Sequence, residues 1–155
     1  MATIRERIFQ YQADKVAALP EVAAFERNPG ETAPNFEKLP LVRMHDGAEP
    51  EPDTPQGCTM FTLTFDLVIF VNAPDVTDKI ETIMDDIYNA IYRAVFDDQT
   101  LVSDSPISES LADDIKRGDL GEPDYIKANS PHTGTNTVEW IVRYTTLDTD
   151  LTKIG

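Results

Sequence analysis

The chain has 155 residues, 41% of them hydrophobic, which suits one domain with a real core and excludes wholesale disorder. Its 28 acidic residues against 13 basic ones leave a net charge of −15. That argues against gripping a nucleic-acid backbone, where affinity comes from Lys and Arg displacing counterions, although such a surface serves solubility and also suits standing beside DNA without sticking to it.

In chain order, Thr3 with Glu6 three residues on reads as a capping box that opens a helix through about Ala18. Ile4, Ile8, Tyr11, Lys15 or Val16, and Leu19 give it an apolar edge, and Pro20 ends it. Val22 to Arg27 is a short strand candidate, and Asn28 to Pro40, with its prolines and glycine, reads as a loop. Leu41 to His45 is a second short strand, with Val42 and Met44 on one side. Asp46 to Gly57 is an acidic, proline-rich connection longer than a tight hairpin. From Thr59 the residues alternate: Phe61, Leu63, Phe65, Leu67, Ile69 and Val71 point one way, and Thr62, Thr64 and Asp66 the other. Val68 and Phe70 turn that second face apolar too.

Pro74 breaks this long strand, and Asp78 with Glu81 opens a helix through Phe96. Ile80, Ile83, Met84, Ile87, Ile91, Ala94 and Val95 form its apolar stripe. Asp97 to Pro106 is polar and turn-like. Ile107 to Arg117 fits two readings, a helix through Ile107, Leu111 and Ile115 or a short strand at Ala112 to Lys116. Gly118 to Asn136 reads as a second long loop, Val138 to Thr145 as a clear last strand, and Leu147 to Gly155 as a polar tail. The whole is one α+β domain over 1–155: a mostly antiparallel twisted sheet with two helices packed on one face. Long flexible loops are expected at 46–57 and 118–136, and loops of that length are often functional.

Reaction chemistry is missing from this pattern. Asp85-Asp86, Asp97-Asp98 and Asp113-Asp114 are acidic pairs that nothing in the sequence brings together. Asp148, Asp150 and Thr152 imitate a calcium loop, but Lys153 stands where that loop needs Gly. His45-Asp46 has only His132 as a further imidazole, too few for a metal-dependent hydrolase. No nucleophile turn, phosphate-cradling loop or dinucleotide fingerprint occurs. Cys58 cannot form an internal disulfide, has no neighbouring base, and reads as a small apolar residue; Trp140 and Tyr144 read as core. The reading is a non-enzyme without cofactor or metal. The first residues, with Arg5, Glu6 and Arg7, lack the apolar core of a secretory signal, and the run Leu67 to Val71 is too short to span a membrane.

The Ile4-Arg-Glu-Arg-Ile8 helix start, Leu39-Pro-Leu-Val-Arg-Met-His-Asp-Gly47, the long strand leading into a long helix, and the closing Trp140-Ile-Val-Arg-Tyr-Thr-Thr-Leu-Asp148 together span nearly the whole chain. They resemble the tail terminator, or minor tail protein U-like, family of long-tailed phages and prophages. Two stretches, Glu49 to Gly57 and Gly118 to Asn136, depart from a compact member. The resemblance implies a structural subunit, not an enzyme, that forms a homo-oligomeric ring, a hexamer, on the end of the tail tube. Its partners would be the tail tube protein and a head-completion or neck protein, with DNA only as passing cargo and no membrane. Its place would be the host cytoplasm during assembly and then the virion tail.

On that reading, Asp46, Glu49, Glu51, Asp53, Glu122 and Asp124 are the loop candidates for assembly or lumen contacts. Asp66, Val68 and Phe70 are the candidates on the open sheet face. A neck or head–tail connector protein is the alternative, and a small acidic ligand- or metal-binding domain is a second.

Overall fold

The computed structural model describes residues 3–47, 58–73, 79–96, 111–126, 132–147 and 150–154. The chain begins with helix α1, Ile4–Ala17, whose cap Thr3 accepts a hydrogen bond from the Glu6 N–H through its hydroxyl (3.2 Å). The side chain of Glu6 does not complete the box, because it is drawn to Arg27 of the first strand. Strands β1 (Ala24–Arg27) and β2 (Leu41–Asp46) follow, then β3 (Cys58–Ala73) and helix α2 (Ile80–Phe96). Strands β4 (Asp114–Leu120), β5 (Asp124–Ile126), β6 (His132–Leu147) and β7 (Asp150–Ile154) complete the order.

The seven strands make one curled sheet in the order β1-β2-β3-β6-β4, with β5 and β7 also pairing with β6. β1 and β2 run parallel; every other pairing is antiparallel. The fold is α+β, as the periodicity predicts. The axis of the sheet is β3 against β6, in register from Cys58 opposite Leu147 to Ala73 opposite His132. All the odd positions of β3 from Phe61 to Ala73 are buried, facing Val138, Trp140, Val142 and Tyr144 of β6. Ile4, Ile8, Phe9 and Val16 of α1 and Ile80, Met84, Ile87, Ile91 and Val95 of α2 close over this face. Aromatic edges fill the seams: Phe9 meets Phe65 edge-on at 6.4 Å, and Phe96 meets Trp140 at 5.2 Å. No helix among the described residues is long and apolar enough to cross a membrane.

The structure departs from the periodicity mainly in the second half of the chain. Gly118 to Asn136 is not one long loop: Gly118–Leu120 belongs to β4, all of β5 lies inside it, and β6 begins at His132. The glycines misled because they mark close approach and not a turn. A Cβ on Gly134 would stand 2.7 Å from the Tyr125 ring, and one on Gly118 would run into the Glu139 side chain. Between Arg117 and Leu120 the β4–β6 register slips, a bulge that this small residue permits. At 107–117 the strand alternative is the one observed, two residues later than read, while 107–110 lie outside the described residues. The tail also carries a strand, β7, which its polar composition hides. Asp46, assigned to the first long loop, ends β2, and the Gly47 N–H donates to the Thr64 carbonyl (2.8 Å). The rest of that loop, 48–57, lies outside the described residues.

Candidate functional site

Because both helices cover one face, the other face of the sheet carries the even positions of β3 and the odd positions of β6. Met60, Thr64, Asp66, Val68 and Phe70 are half-buried there, beside Ile141 and Glu139 of β6, with Thr62 and Arg143 exposed. The face is therefore mixed, an apolar strip set among threonines and charges. Asp66 lies in register between His45 and Glu139, so an imidazole and two carboxylates share one cross-strand row. Among the described residues no cluster of His, Cys, Asp or Glu has the geometry to hold a metal ion.

At the Phe70 end, the chain's own segment 28–40 folds back on this face. Phe36, itself 56% exposed, meets Phe70 edge-on at 6.3 Å. Phe36, Phe70, Asp124, Thr133 and Thr135 border a hollow of about 90 Å³. Beneath the segment, Arg43 is buried: its guanidinium lies over the Phe70 ring at 6.0 Å, Nη1 donates to the Thr32 carbonyl (2.6 Å), and Nε stands 2.7 Å from Glu26. A buried arginine needs such partners, because desolvating an unpaired charge is costly. The opposite end is pinned by Arg143, which pairs with Asp114 and holds that carboxyl below its ordinary value. The Thr145 hydroxyl donates to Asp113 (2.8 Å).

Asp46 lies elsewhere. In register with Phe65 it faces the helices, where Arg27 binds it (2.7 Å) and Glu6 (2.8 and 2.9 Å) together. The side-chain hydrogen bond from Arg27 pulls the Glu6 carboxyl below its usual range, and the two carboxylates raise the Arg27 value further. Asp46 thus ties β2 to β1 and α1. Of the other candidates, Asp66, Val68, Phe70 and Asp124 share the open face, and Glu122 is exposed on the approach to β5. Glu49, Glu51 and Asp53 lie outside the described residues. Sequence reasoning passed over Phe36 and Arg43; the latter had a signal, an arginine set inside the apolar run Leu41-Val42-Arg43-Met44.

On the helix side, the C-terminal end of α1 and the outer surface of α2 leave a groove of about 520 Å³. Leu19, Pro20, Ala90 and Ala94 contribute its apolar part, and Lys15 and Arg93 share its charged part with Glu21 and Asp86. The Lys15 ammonium donates to the Ala94 carbonyl (3.2 Å) and so closes the end of α2.

No family model matches the chain, and no curated protein does. One solved structure aligns with 90% of this chain and 92% of its own, at 14% identity and a TM-score of 0.43. A likeness of that strength carries nothing about activity or partners.

Proposed function

We propose that the protein is a structural subunit of a long-tailed phage or prophage tail, one that closes into a ring and terminates the tail tube before the tail joins the head. The observation that carries this reading is the presence of two dissimilar surfaces on opposite faces, the half-apolar open sheet face and the groove over the helices. A ring built by rotation needs such a pair, since each copy meets its neighbours through two different patches. Asp66 and Val68 belong to the first, with Phe70 at its end under Phe36 and with Asp124 and Glu122 beyond it. A net charge of −15 suits a subunit past which DNA slides without being held. The resemblance of both chain ends and of the strand–helix unit to the tail terminator family supports the same role.

The test is mass by light scattering with and without tail tubes, followed by negative-stain imaging of the tube ends. A ring of identical subunits on the tube end is expected, and V68E/I141E on the open face abolishes it while the monomer stays folded. A protein that stays monomeric at high concentration and never caps tubes overturns the reading. Co-purification with a portal complex in place of the tube moves the role to the neck.

A further inference from the structure

We infer that the N-terminal end of α1 is a binding site for a small carboxylate with a short apolar body. A hollow of about 170 Å³ opens there, lined among the described residues by Thr3, Arg5, Phe61, Tyr144, Thr146 and Leu151. It is smaller than the pockets that take drug-sized ligands, which points to a compact molecule.

Its polar side chains are all able to donate, and two of them, Thr146 and the Nε edge of Arg5, have no partner among the described residues. Thr146 is 1% exposed, and among the described residues its hydroxyl oxygen has no hydrogen-bond partner. The Nε of Arg5 is likewise buried and unpartnered, although Nη2 of the same guanidinium donates to the Gly47 carbonyl (2.9 Å) and the group lies 4.7 Å from the centre of the Phe9 ring. These two contacts fix the guanidinium and leave its Nε edge unused. The helix supplies no acceptor for the backbone N–H groups of Ile4 and Arg5, since the first intrahelical bond is donated by Arg7 to the Thr3 carbonyl and the Thr3 hydroxyl serves Glu6. The helix dipole adds positive potential at the same end. The acid of the first turn, Glu6, is bound by Arg27 and does not neutralise it.

Buried donors without acceptors are costly, and native structures rarely leave two side by side. An anion seated at this end of the helix supplies an acceptor for the Thr146 hydroxyl and the Arg5 Nε where the described residues offer none. The opposite wall decides which anion: Phe61 and Tyr144 stack at 5.1 Å with their planes 14° apart, and Leu151 is 48% exposed beside them. An apolar wall facing a donor cluster fits a carboxylate carrying a few carbons better than a fully solvated phosphate. This site lies apart from both surfaces of the ring reading and stands without it.

The test is titration of the full chain with sodium benzoate, sodium acetate and sodium phosphate against sodium chloride at matched ionic strength, followed by amide resonances. Saturable shifts at Ile4, Arg5 and Leu151 are expected with benzoate, weaker ones with acetate. T146V, which keeps the side chain's shape, should weaken benzoate binding about tenfold, the worth of one hydrogen bond to a charged group. R5M should weaken it at least as much, and it supplies the same reading if T146V does not fold. Absence of saturation with either carboxylate, an unchanged affinity in both variants, or a response to phosphate alone overturns the proposal.

Discussion

Arg27 is the residue on which the local electrostatics turn. Its guanidinium binds Glu6 on α1 and Asp46 on β2 at once, and it lies 5.6 Å from the centre of the Phe9 ring. Arg27 and Asp46 are mostly shielded, with side chains 20% and 15% exposed, whereas Glu6 is 47% exposed. Screening by water therefore discounts the Glu6 arm, and the Asp46 arm carries more of the stability. R27M should cost about 2 kcal/mol in a urea unfolding experiment, the scale of losing hydrogen bonds to charged partners. The Glu6 carboxyl is held below its ordinary value by its hydrogen bonds to Arg27. Its contribution is thus complete above its unfolded pKa of about 4.3 and is lost as pH falls through the lower folded value. E6Q removes that contribution, so its stability should fall less steeply than wild type between pH 5 and pH 3. Parallel slopes for E6Q and wild type would show that Glu6 is not linked to folding.

At the scale of elements, β5 depends on a glycine. Tyr125 lies against Gly134 so closely that a Cβ there would stand 2.7 Å from the ring, and Ile80 of α2 is 3.4 Å away. G134V should push Tyr125 off the sheet and cost about 1–3 kcal/mol, the usual range for overpacking. Amide exchange across Asp124–Ile126 should accelerate while that of β3 stays slow; unchanged protection of β5 would refute the close-approach argument. The same glycine explains what could be read from sequence and what could not. β3 and α2 were legible because a sheet face and a helix stripe, each buried on one side, print their periods directly into the residues. The first turn of β6, Thr133-Gly134-Thr135-Asn136, prints nothing: its residues are small or polar because β5 and segment 28–40 crowd that end of the sheet. β7 was hidden likewise, since its pairing with β6 is irregular and Leu151 and Lys153 are exposed. The candidate site was half legible. Val68 and Phe70 broke the alternation visibly, whereas the partners of Arg43, Arg27 and Asp46 come from segments too distant in sequence for any local pattern to show.

Over the whole molecule, two electrostatic effects pull in opposite directions as salt is added. The net charge of −15 is spread over the surface and opposes both the compact state and the approach of a second copy. Those repulsions act over distance, so they are strong at 10 mM salt, where the Debye length is about 30 Å, and mostly screened at 0.1 M, where it is about 10 Å. The attractive pairs act at close range, among the described residues Arg27 with Glu6 and Asp46, Arg43 with Glu26, and Arg143 with Asp114. The first two of these groups are partly sheltered and lose less to screening than the diffuse repulsion does. Raising sodium chloride from 10 to 300 mM should therefore raise the unfolding temperature by a few degrees, where roughly 2–4 °C corresponds to 1 kcal/mol for a chain of this size. It should also strengthen any self-association seen by sedimentation, because each added copy brings the same negative field. A fall in melting temperature with salt would mean that the close pairs outweigh the net charge. A melting temperature that rises while association weakens would locate the contact between copies at opposite charges, and not at the apolar strip of the open face.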